Sequence, residues 1–168
     1  MNKKNTTHKI VTSAMFSALI CVATMIIKIP SPLKGYINIG DCFVLLAGWA
    51  LSPLYGFISA GLGSALADVL SGYALYAPAT FIIKGTMALI VYYGCKILRK
   101  KLNGTLSQII SGVVAEVFMI LGYFIFEGIL YGFIPSAVNI LPNAIQGAVG
   151  LVLGCLLIKF FEKNQINL

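Results

Sequence analysis

Charge is scarce in this sequence. Only 10% of its 168 residues are charged, and just five of them are acidic. A soluble domain usually carries about 25% charged residues. Histidine is scarcer still: His8, in the N-terminal segment, stands alone. A Ser–His–Asp set and an HExxH zinc motif are thereby excluded, and no GxSxG occurs. The four cysteines, Cys21, Cys42, Cys95 and Cys155, form no CxxC pair. With one histidine they offer neither a zinc site nor a redox couple, so they read as small apolar packing residues. No GxxxxGK[ST] is present, so the chain carries no P-loop for ATP. An enzyme is therefore not expected, nor a metal or cofactor. A basic stripe interleaved with exposed aromatics is also missing, which removes nucleic acid as a partner.

What is abundant is apolar. Hydrophobic residues make up 59% of the chain and mean hydropathy is +0.94. A chain of this length has too little interior to hide that excess, whereas a bilayer removes the need. The expectation is one membrane domain over residues 1–168, an all-α compact bundle of six transmembrane helices. Hydropathy and breaker residues place the spans at about 10–29, 41–51, 54–70, 78–98, 106–129 and 136–161. The first is too long for a signal-peptide core and lacks a small-x-small cleavage site, so it reads as retained. Pro30 and Pro32 end it, Ser52-Pro53 separates the second from the third, and Gly132 and Pro135 punctuate the last loop. The second span is the weak one: eleven residues give a helix of about 16 Å against a core of about 30 Å. A re-entrant hairpin of spans two and three is the alternative.

Net charge is +7. With six crossings the basic N-terminus, the cluster Lys96, Arg99, Lys100, Lys101, and the basic C-terminus share one side. The positive-inside rule makes that side the cytoplasm, in a multi-pass protein of the cell membrane. Lys28 and Lys34 fall in the first outer loop against this rule. Snorkelling accounts for Lys28, and Lys34 reads as a functional candidate.

Polar residues inside the spans carry the functional reading: the ionisable ones, Asp68, Lys84, Glu116 and Glu127, each cost about 2.5–3.5 kcal/mol on insertion scales and need a partner or cavity. Glu116, Tyr123 and Glu127 follow one another at seven and four, one stripe of a helix. Asn139, Asn143 and Gln146 repeat this at four and three. With Tyr36 and Asn38 from the first loop, and Tyr73 and Tyr76 from the third, they suggest an outward pocket for a small polar heterocycle. For Lys84 with Asp68 or a glutamate, a structural ion pair and a ligand contact weigh equally. Interhelical hydrogen bonds are the bland reading of Asn143 and Gln146, and Asp41 reads first as a helix cap. Trp49 and the terminal tyrosines read first as interfacial anchors. On span one, Ala14 and Ala18 with Ser17 make a small-residue face suited to another helix.

Two longer stretches point to a family. Gly35-Tyr36-Ile37-Asn38-Ile39-Gly40-Asp41 is followed by Ala67-Asp68, then Tyr76-Ala77-Pro78-Ala79-Thr80 and Lys84-Gly85. With the alanine pair and six short spans, the whole chain resembles the substrate-binding S component of energy-coupling factor (ECF) vitamin transporters. The resemblance implies capture of a vitamin on the outer side, with the first loop capping the pocket. It implies that Ala14 and Ala18 contact a transmembrane coupling subunit joined to two cytoplasmic ATPases. The nearest branches suggest riboflavin, pyridoxine-type or hydroxymethylpyrimidine ligands, and of these a small pyridine or pyrimidine ring is the expectation. On that analogy Tyr36, Asn38, Lys84, Tyr123, Glu127, Asn139, Asn143 and Gln146 form the binding set, with Lys84 meeting an anionic group. The rival is a self-sufficient secondary transporter or channel, which the lack of an inverted repeat of broken helices disfavours.

Overall fold

A computed structural model describes residues 3–31 and 35–164. Pro32 and Lys34, and with Lys34 its candidate functional role, lie outside the described residues. Helix α1 spans Lys3–Ile26, α2 Asp41–Ala50, α3 Pro53–Leu70, α4 Ala77–Leu98 and α5 Gly104–Tyr131. A single turn, α6 at Phe133–Ser136, leads through a 3-10 turn at Ala137–Asn139 into α7, Ile140–Lys163.

The first helix stops three residues earlier than hydropathy suggests. Pro30 disfavours helical backbone at Ile29, so the chain extends there. Strand β1, Ile29–Pro30, pairs antiparallel with β2, Tyr36–Ile37, matching Ile29 to Ile37 and Pro30 to Tyr36. The backbone N–H of Ser31 donates to the Gly35 carbonyl at 3.0 Å and closes the hairpin. The fifth helix is longer than expected at both ends. Asn103 caps its start, its side chain accepting from the Leu106 N–H at 2.8 Å, and Gly132 ends it at φ +92°. The loop expected before the sixth span instead carries the end of α5 and most of the α6 turn, and 136–139, expected as the start of that span, close α6 and form the 3-10 turn. Pro135 is no obstacle there, because the first turn of a helix needs no N–H from it.

Five segments are long and apolar enough to cross a membrane, and α2 is a shorter apolar helix of ten residues. Its position explains how so short a helix survives. It packs on α1, α3, α4 and α7, and seven of its ten residues are buried. Val44, Leu45, Leu46 and Ala47 meet Ile20, Met87, Val91 and Met119 in the central core. Protein, rather than lipid, surrounds it, so its ends need not reach the membrane surfaces. The outward faces are apolar: Val11, Met15, Leu19 and Val22 on α1, and Val113, Val117, Leu121 and Ile125 on α5, are all exposed. A soluble monomer rarely shows such continuous patches, whereas acyl chains cover them at no cost.

Helix α3 sits between α1 and α4, and its small residues permit this. A Cβ on Gly63 would lie 2.5 Å from the Ser17 carbonyl oxygen, and one on Gly61 would lie 2.7 Å from that of Phe81. The two glycines thus let both neighbours approach backbone to backbone. Ser59 adds a hydroxyl bond to α1, its Oγ donating to the Ser13 carbonyl at 3.0 Å. Contacts sort the bundle into two ends. His8 and Lys9 lie beside Ala50–Tyr55, Trp49 lies beside Tyr92 and Arg99, and Arg99 faces Glu162 at 3.7 Å. That end gathers the termini and the basic cluster; the other carries the β-hairpin.

Candidate ligand-binding site

The hairpin end holds a cavity with about 410 Å³ of empty space, part of it open to solvent. Four tyrosines, two carboxylates and three side-chain amides dominate its lining, drawn from the β2 arm, the end of α3, the turn into α4, α5 and α7.

The aromatic wall begins on β2. The Tyr36 ring lies 4.8 Å from that of Tyr73, which meets Tyr76 edge-on at 6.4 Å, and Tyr76 packs on Phe126 at 5.3 Å. Gly72, at φ +86°, turns the chain after α3 and lets Tyr73 fold back. The Tyr36 hydroxyl donates to Asp68 Oδ1 at 2.6 Å, pinning the hairpin to α3. Burial, and then the neighbouring Asp68 charge, push the Tyr36 phenol above its usual range, so it remains a proton donor at neutral pH. Tyr123, on α5, donates to Thr80 Oγ1 at 3.1 Å.

The polar wall comes from α5 and the broken entry to α7. Asn139 Nδ2 donates to both oxygens of Glu127, at 2.9 and 3.0 Å, and the Tyr76 hydroxyl reaches Oε1 at 3.4 Å. Asn143 is half-buried and lines the cavity with no hydrogen bond to another described residue.

The floor differs from what the sequence suggests. Asp41 does not cap α2: Gly40 is the N-cap, and no side chain caps that end. Asp41 is fully buried and ion-pairs instead with Lys84, itself 3% exposed. Neither Asp68 nor a glutamate holds the lysine. An uncompensated carboxylate at this depth is costly, and the Lys84 ammonium compensates it. The Lys84 ammonium also stands 5.5 Å from the Tyr123 ring centroid. Gln146 Nε2 donates to the other Asp41 oxygen at 2.7 Å, while its Oε1 accepts from the Asn38 N–H at 2.9 Å and from Asn38 Nδ2 at 3.3 Å.

Of the eight residues expected to form the pocket, Tyr36, Asn38, Tyr123, Glu127, Asn143 and Gln146 line the cavity. Lys84 and Asn139 do not: one lies beneath, bound to Asp41, and the other orients Glu127 from behind. Asp68, Thr80, Ser31 and Gly35 join the lining without having been placed in the set. The cost of an intramembrane carboxylate was the available signal for Asp68. Glu116 shares the helical stripe of Tyr123 and Glu127 but lies outside the cavity, with neither oxygen hydrogen-bonded in the structure. It fits against Gly147, where a Cβ would come within 2.9 Å of its Oε2. Lys28 donates to Ser71 Oγ at 3.0 Å rather than only reaching for the membrane surface. Trp49 is half-buried and donates to Ser111 Oγ at 3.3 Å. On α1, Ala14 and Ala18 are exposed while Ser13 and Phe16 turn inward.

Comparison with known proteins agrees with this architecture. The model of the family described as ECF-type riboflavin transporter, S component, matches residues 4–163. A Pyrococcus woesei protein described as an uncharacterized protein in a gap 3′ region is 35% identical over 136 residues, covering 80% of this chain and 88% of that one. Among solved structures, the S component of a bacterial ECF transporter superposes with a TM-score of 0.75 at 24% identity, covering 96% of this chain and 99% of that one. The S component for biotin from an ECF-type ABC transporter gives 0.66 at 20% identity, covering 95% of each. At such identities the two structures establish the fold alone. The match over nearly the full length establishes the rest: the chain is a membrane protein of the ECF-type riboflavin transporter S component family.

Proposed function

We propose that this chain is the substrate-binding subunit of an ECF-type importer and captures riboflavin in the cavity under the hairpin. The observation that carries the reading is the cavity's composition: a wall of tyrosines facing a wall of carboxylates and amides, with the Asn143 amide uncommitted. A tricyclic flavin ring offers a flat face for the tyrosines and imide and carbonyl groups for the amide. Its ribityl chain offers hydroxyl donors for Asp68 and Glu127. The hairpin end faces outward, since the basic cluster at the opposite end marks the cytoplasm. ATP hydrolysis falls to other chains, two ATPases and a coupling subunit that packs on Ala14 and Ala18.

The two carboxylates also choose between flavins. Lys84, the cation expected to meet an anionic group, is committed to Asp41. A phosphate placed near Asp68 and Glu127 meets like charge, which costs several kcal/mol. Titration of the purified chain by quenching of flavin fluorescence tests this. Riboflavin is expected to bind with a Kd below about 1 µM, and its 5′-phosphate at least about tenfold more weakly. Asn143→Ala should weaken riboflavin by about tenfold or more, through one lost hydrogen bond. Equal affinity for both flavins removes the charge argument; binding of neither removes the flavin.

A further inference from the structure

Gln146 lines the cavity, yet its amide is already spent. Its oxygen accepts twice from Asn38, and its nitrogen donates to Asp41. Asn38 in turn accepts from the Gly40 N–H at 2.8 Å, which fixes the bend of the segment that descends from the hairpin into α2. Asp41, at the foot of that segment, is clamped by Lys84 of α4. Gln146, Asn38, Asp41 and Lys84 are all buried. A continuous polar chain therefore runs from the hairpin arm through α7 to α4, and Gln146 is its central link.

We propose that Gln146 is a positioning residue rather than a ligand contact: it latches the hairpin arm, residues 36–40, to the buried Asp41–Lys84 pair, and thereby holds the arm over the cavity. The arm is pinned at two points, by Tyr36 on Asp68 of α3 and by Asn38 on Gln146 of α7. The first pin is partly solvent-exposed on its tyrosine; the second is buried. Release of the arm therefore requires Asn38 to leave Gln146, and this step limits ligand escape. Lys84 acts on the arm without lining the cavity, because it holds the carboxylate to which Gln146 is anchored. The last consequence, on ligand escape, rests on the function proposed above; the latch itself does not.

Backbone hydrogen exchange of the ligand-free protein in lipid nanodiscs tests the latch, independently of which ligand binds. The Asn38 amide, whose acceptor is Gln146 Oε1, is expected to be protected in the native chain. Gln146→Leu keeps the bulk and removes the acceptor, so exchange at residues 36–40 should rise about tenfold or more while the interiors of α4 and α5 keep their protection. Combining Gln146→Glu with Asp41→Asn exchanges the carboxylate and the amide, so position 146 keeps an acceptor for Asn38 and position 41 supplies the N–H between them, and Asn38 protection should return toward the native level. Asn143→Ala, a neighbour on the same helix, should leave exchange at 36–40 unchanged. With riboflavin bound, Gln146→Leu should also speed dissociation. Three results overturn the latch: unchanged exchange at 36–40 in Gln146→Leu, exchange rising equally through α4 and α5, or the Asp41→Asn/Gln146→Glu pair exchanging as fast as Gln146→Leu. If exchange behaves as expected but no flavin binds, the latch stands and only the substrate is wrong.

Discussion

Replacing Ala14 and Ala18 together with leucine is expected to abolish vitamin uptake and leave vitamin binding intact. Both alanines are exposed on α1, one turn apart, and the helix fastens to the bundle by its opposite side. Phe16 and Ile20 enter the core there, and Ser13 and Ser59 lie 2.6 Å apart between α1 and α3. Added bulk at positions 14 and 18 therefore meets no neighbour within the chain, so folding and the distant cavity are unaffected. It does block close approach by another helix, since small residues are what allow backbones to pack in lipid. Uptake measured in cells with the coupling module, beside riboflavin titration of the isolated chain, separates the two effects. Loss of binding as well would mean that the face packs inside the bundle. Retention of uptake would mean that the coupling subunit sits elsewhere.

Lys84→Met is expected to be the most destabilising single substitution in the helical core. It leaves the Asp41 carboxylate buried without its cation, and breaking a buried pair by removing one partner costs about 3–5 kcal/mol. For a chain of this size that lowers the melting temperature by roughly 10 °C, read by thermal unfolding in mild detergent. Adding Asp41→Asn to Lys84→Met removes the stranded charge, so the double variant should melt well above Lys84→Met alone. That non-additivity is the signature of a direct pair. Independent, additive losses would mean that the two side chains do not neutralise each other.

Much of the bundle was legible because lipid imposes a strict rule on sequence. Long apolar runs bounded by proline, glycine or lysine give α3, α4, α5 and α7 within about four residues, whereas α1 begins seven residues before its expected start, in a polar stretch that hydropathy passes over. Helix α2 was legible as a helix but not as the bundle's centre, since eleven apolar residues look alike whether lipid or protein surrounds them. The two-residue strands of the hairpin were too short for any alternation to register. Residues 133–135 read as loop, and 136–139 as the start of the sixth span, because Gly132 and Pro135 are breakers inside a helix, whereas at its first turn they are starters.

The cavity was half legible for a related reason. Helical periodicity joins Tyr123 to Glu127 and Asn143 to Gln146, because those residues share a helix face. It says nothing of pairs brought together by tertiary structure. Asp41 meets Lys84 across 43 positions, and Tyr36 meets Asp68 across 32. Periodicity also overreached: Glu116 shares the stripe with Glu127, but eleven residues of helix set it about 16 Å deeper, below the cavity. Which acid faces the ligand and which stays in the core is decided by depth, and depth depends on where the hairpin ends and α7 begins.

The most direct test of the central claim is native mass spectrometry of the chain purified from riboflavin-supplemented cells, released gently from detergent. A riboflavin importer's binding subunit should retain one flavin per chain, at the mass of riboflavin without phosphate, with lower occupancy in Asn143→Ala. A chain that carries no small molecule, or that carries one of different mass and ignores added riboflavin, contradicts the claim.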